Sequence, residues 1–171
     1  MRLCFLLISC LTLTIFGCLS APKADLSNTT EFCPIKGQEI QDKCGFEVGI
    51  VDLRETTSGI VDCFYSDTNI TSGASVEIIS GRKTNKLEEI KSQIMGEGKG
   101  YADILIGDGG IYYTEYDNSP GRLSVLHFFK NDSEYKVIGL SNVGGKGDFL
   151  GCTSQEDLRE IGQMYVERTS Q

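Results

Sequence analysis

Most of the chain reads as short runs of alternating apolar and polar residues broken by polar turns, with two stretches of helical periodicity set among them. Phe46 to Leu53 and Ser58 to Ser66 flank the turn-prone Arg54-Glu55-Thr56-Thr57, which predicts a hairpin, and Ser75 to Ser80 reads as a third strand rich in Val and Ile. Asn85 followed three residues on by Glu88 is an N-cap signal, so a helix is predicted from Lys86 to about Met95. Its Leu87, Ile90 and Ile94 fall on one stripe, and Gly96, Gly98 and Gly100 end it.

The second half is more regular. Tyr101–Ile106, Ile111–Tyr116, Arg122–Phe129 and Glu134–Leu140 are four predicted strands joined by tight polar turns, which implies an antiparallel meander. Val143 to Asp148 is a Gly-rich loop. Thr153-Ser-Gln-Glu156 is a capping box opening a last helix to about Thr169, with Leu158, Ile161 and Tyr165 on one stripe. The expected fold is α+β, an antiparallel β-meander sheet packed by two amphipathic helices.

The first eighteen residues depart from this pattern. One Arg precedes a mainly apolar run from Leu3 to Phe16, interrupted only by Ser9, Thr12 and Thr14, then Gly17-Cys18, which reads as an export signal too short to span a bilayer permanently. Ile15-Phe16-Gly17-Cys18 resembles the lipobox of prokaryotic lipoproteins, in which the Cys is lipidated and becomes the mature N-terminus. That resemblance implies a membrane anchor on Cys18, with Phe16 a departure where a smaller residue is usual. Cleavage after Ser20, giving simple secretion, is the alternative. Leu19 to Glu31 is too polar to pack and reads as a flexible tether, leaving one domain at 32–171.

Charge and cysteines narrow the function classes. The chain carries a formal charge of -8; without the leader and its Arg2, fifteen basic residues face 24 acidic ones, a charge of -9. This balance argues against a nucleic-acid partner, which demands clustered Lys and Arg, and against electrostatic adhesion to anionic lipid. Cys33, Cys44, Cys63 and Cys152 remain in the domain, an even number that reads as two disulfides in an oxidising compartment. If Lys36 to Lys43 is a short helix, Cys33 and Cys44 lie roughly 16 Å apart, beyond bridging reach. The spacing therefore favours Cys33 with Cys63 and Cys44 with Cys152. A zinc site would want ligand pairs two to four residues apart, and none exists, so no metal or cofactor is expected.

An early Cys, a second Cys in the strand Cys63-Phe64-Tyr65, a β-meander and an amphipathic C-terminal helix together resemble small prokaryotic lipoproteins with a Mog1/PsbP-like α/β sandwich. The likeness is one of element pattern over Cys33 to Gln171. It implies a sheet covered by helices and a binding or accessory role, and it carries over no catalytic residue.

Candidate chemistry is sparse. His127 is the only histidine and shares a strand face with Leu123, Val125 and Phe129, so any acid/base mechanism must use it, with Ser124 or Asp148 as partners in a secreted hydrolase. Asp108 and Asp103 could ligate calcium but lack a spaced acidic loop. Alternation groups Tyr112 with Tyr116 and sets Tyr113 on the other face. With Phe128 they form a candidate binding face for a partner protein or small apolar ligand, assisted by the Gly-rich loop. Asn28, Asn69 and Asn131 head glycosylation sequons. Binding, without catalysis, is the function these residues favour.

Overall fold

Three helices and eight strands make up the computed structural model, which describes residues 33–55, 59–68, 73–83, 85–118, 121–143 and 149–169. The leader, Cys18, the tether, the loop residues 144–148 including Asp148, and Asn28 and Asn69 lie outside the described residues. The elements are α1 (Gly37–Cys44), β1 (Val48–Glu55), β2 (Val61–Asp67), β3 (Ser75–Arg82), α2 (Leu87–Gly96), β4 (Tyr101–Ile104), β5 (Gly109–Asn118), β6 (Gly121–Lys130), β7 (Ser133–Val143), β8 (Phe149–Leu150) and α3 (Gln155–Thr169).

All strands join one antiparallel sheet in the order β1-β2-β3-β7-β6-β5-β4, with β8 pairing the end of β7. The second-half meander is therefore present as predicted, and the first hairpin extends it through β3 against β7. Four antiparallel steps separate β3 from β4, so these two strands run parallel and need a crossover, which α2 supplies. The two-residue turn Asn131-Asp132 closes β6 onto β7. Asn131 adopts a φ of 54°, the left-handed region that Asn tolerates, and its N–H donates to the Asp108 carboxylate at 2.6 Å.

Each helix begins one residue away from its sequence signal or on different chemistry. At α2 the cap residue is Lys86, whose N–H is held by Glu89 at 3.1 Å, in place of the predicted Asn85–Glu88 pair. At α3, Ser154 Oγ accepts the Asp157 N–H at 3.1 Å, in place of Thr153–Glu156. Such shifts arise because several neighbouring polar residues can cap and packing of the apolar stripe selects the phase.

Helices cover both faces of the sheet. Ile40 of α1 and Leu158, Ile161, Tyr165 and Val166 of α3 pack on Cys63, Tyr65, Val76, Ile78, Leu126, Phe128 and Val137. The sequence reading has two packing helices; α1 is a third, on the same side as α3. On the opposite face Ile90 and Ile94 of α2 pack on Ile111 and Phe129 in a separate, smaller cluster.

The larger core is also tied covalently. Cys33 joins Cys63 and Cys44 joins Cys152, with Cα atoms 5.7 and 4.8 Å apart, the pairing that the spacing favours. They close loops of 30 and 108 residues, each worth about 3–5 kcal/mol if the gain is unfolded-chain entropy. Arg168 forks onto the Glu39 carboxylate at 2.6 and 2.7 Å and Lys43 pairs with Glu160, clamping α1 to α3. Gly139 admits this arrangement: a Cβ there would lie 1.7 Å from the carbonyl oxygen of Cys152.

Candidate binding groove

The alternation of β6 decides which residues can meet. Ser124, Leu126 and Phe128 point to the α3 side, whereas Leu123, Val125, His127 and Phe129 point to the α2 side. Ser124 and His127 are three positions apart on one strand and lie on opposite faces, so the sheet separates the proposed hydrolase pair. Ser124 Oγ instead lies 3.1 Å from the Tyr112 hydroxyl.

The predicted aromatic face dissolves for related reasons. Phe128 is fully buried, stacked on Tyr135 with ring centroids 5.0 Å apart, under Gly162 of α3. Tyr112 packs against the same core and donates its hydroxyl to the Thr153 carbonyl at 2.7 Å. Both rings serve the core beneath α3, because that helix covers β6 as well as β7. A β-bulge between Thr114 and Tyr116 places Tyr116 opposite Leu123. The side chain of Tyr116 is not among those described.

The calcium pair is likewise committed elsewhere. Asp103 bonds Lys91 at 2.8 Å and Asp108 caps the Asn131 turn. Among the described residues no three His, Cys, Asp or Glu side chains converge as metal ligands do.

A different site emerges on the α2 side. That helix lies over β4 and β5 and stops short of β7, leaving a groove of about 410 Å³ between its flank and the sheet. The floor is apolar: Val125 and Leu123 of β6, Ile138 of β7, and Ile90 and Ile94 from the helix. Tyr113, Gln93, Glu97 and Glu115 form the helix-side rim. Lys99 bridges Glu97 and Glu115 at 2.7 and 2.8 Å, fastening the loop after α2 to β5.

His127 sits at the sheet end of this groove. Its side chain is 5% exposed, its ring lies 5.4 Å from that of Phe129, and Nε2 is 2.9 Å from Glu134 Oε1. The hydrogen-bond partner of the only histidine is thus a carboxylate of the neighbouring strand β7. Burial pushes the imidazole below its usual value, against the pull of Glu134, and the Lys136 ammonium opposite it adds to the depression. A neutral ring donating Nε2–H to the carboxylate satisfies both groups. Among the described residues lining the groove none is Ser, Thr or Cys, so the histidine has no hydroxyl or thiol of those types beside it to activate.

Glu134, Lys136 and Ile138 of β7 are groove residues that the sequence reading does not single out, as are Gln93, Glu97 and Glu115 on the rim. The signal for the three on β7 is the alternation of two neighbouring strands, Leu123/Val125/His127 and Glu134/Lys136/Ile138, which share a face once His127 is placed opposite Lys136. A second concavity of about 430 Å³, near the C-terminal end of α3, is lined by Gly59, Ser80, Gly81, Ser133, Arg82 and Asp132 with the buried Tyr135 and Tyr165, and the Tyr165 hydroxyl there lies 3.0 Å from Ser80 Oγ. No helix among the described residues is long and apolar enough to cross a membrane, and the two cystines fit an extracytoplasmic location. No protein-family model matches this chain, and no curated protein and no solved structure is detectably similar to it.

Proposed function

We propose that this chain is an exported accessory domain, lipid-anchored through Cys18, that works by binding a small apolar or amphipathic ligand between α2 and the sheet. The observation that carries this reading is the groove itself. It falls within the roughly 300–1,000 Å³ typical of ligand sites, with an apolar floor and a few converging polar groups. Helices on both faces of an antiparallel sheet support the Mog1/PsbP-like sandwich as its architecture, and domains of that kind are mostly binding or accessory modules. The lipobox-like Cys18 and the tether at 19–31 would hold the groove off a membrane surface.

Binding is tested with a neutral naphthyl dye whose emission rises on leaving water. The wild-type domain should enhance it and Ile138→Glu should abolish the enhancement, since a carboxylate on the floor desolvates at high cost. Equal signals would reject the groove. Anchoring is tested separately by intact mass of the exported protein, which should show an acylated chain beginning at Cys18; a chain beginning at Ala21 would show simple secretion.

A further inference from the structure

The charges around the groove are unequally committed. Glu97 and Glu115 share Lys99, and Glu134 holds His127. Lys136 differs. It lines the groove, stands opposite His127 in the β6–β7 register and is partly buried, yet its side chain makes no hydrogen bond or ion pair with any described residue. Its ammonium therefore stands at the border of an apolar floor made by Val125 and Ile138, on a protein whose overall charge is -8.

Resting on the reading of the groove as a binding site, we infer that its ligand is a small monocarboxylate with an apolar tail or ring, whose carboxylate pairs with Lys136 while its body covers Val125, Leu123 and Ile138. One ammonium beside an apolar floor contributes most to a ligand that brings one opposite charge and an apolar remainder. A cationic head would meet Lys136 with like charge. A dianion such as a phosphate monoester would meet Glu134 and the Glu97–Lys99–Glu115 bridge with only the Lys136 ammonium left to offset its two charges, which disfavours it. A neutral molecule of the same body would fill the floor and leave Lys136 unpaired.

The chain contains no Trp, so Gln93→Trp on the exposed rim supplies a lone fluorescent reporter. Decanoate, decanol and decyltrimethylammonium are titrated below micelle-forming concentrations. Decanoate should bind about tenfold or more tightly than either of the others. Adding Lys136→Gln should erase that preference while leaving decanol affinity within about twofold, and Lys136→Arg should restore it. Decanol binding as tightly as decanoate in the otherwise wild-type background would overturn the carboxylate inference while the groove reading stands. If none of the three binds, the groove reading falls and the inference with it. The head-group comparison needs no substitution at Lys136, so it decides even if a variant there does not fold.

Discussion

The two faces of the sheet are built to different standards. Beneath α1 and α3 lie fully buried Tyr65, Val76, Ile78, Leu126, Phe128 and Val137, two cystines, and ion pairs linking the helices. Beneath α2 the described core is Ile90, Ile94, Ile111 and Phe129, and the helix leaves β7 to the groove. Close packing on one side fixes the strands in place; sparse packing on the other leaves room for a ligand. Stability and binding are thus divided between faces that share the same strands.

Phe128→Ala should break the contrast hardest. It removes a buried ring that touches Tyr135 and α3, and should cost about 3–5 kcal/mol, read as a lower urea midpoint at unchanged slope. A loss comparable to that of an exposed substitution would show the α3 face to be loosely packed. Replacing Cys33 and Cys63 together by Ala should cost about 2–4 kcal/mol, with the dye-binding groove intact once folded. Loss of binding in the folded variant would show that the faces are coupled.

Ile94→Ala should cost about 2–3 kcal/mol, and its signature should be local: amide exchange quickens in α2 while β6 and β7 keep their protection. Uniform quickening would make α2 part of the global unit.

Acid sharpens the comparison because each face carries its own titration. Arg168 beside it holds the Glu39 carboxyl at about 2, against an ordinary value of 4.5, so its contribution is complete above 4.5 and is lost as pH falls toward 2. Buried His127 is depressed from 6.5, so the unfolded chain takes up a proton first and stability declines as pH drops below 6.5. Equilibrium unfolding across pH should show both declines. His127→Gln should remove only the upper one and Arg168→Met should reduce only the lower one; the reverse pattern would contradict the assignment.

Local order was legible residue by residue. Hydrophobic alternation marks β2, β3 and the β4–β7 meander, and the stripes Leu87/Ile90/Ile94 and Leu158/Ile161/Tyr165 mark α2 and α3, because a two- or 3.6-residue period is a property of the chain alone. Cystine pairing was legible in part: a helix between Cys33 and Cys44 keeps them apart, and the fold decided between the two pairings left. The bulge before Tyr116 was not, because an extra residue has no mark in the alternation until a partner strand sets the register.

The sequence by itself determined the elements, the one-sided helices, the acidity and the thiols available for bridging. Only the tertiary structure decided that α3 and α2 take opposite faces, that Phe128 and Tyr112 serve the core, and that Lys136, Ile138 and His127 border one groove. A period records that a face will be buried; what covers it, and how far, depends on strand order and crossover paths, which arise from contacts between residues distant along the chain.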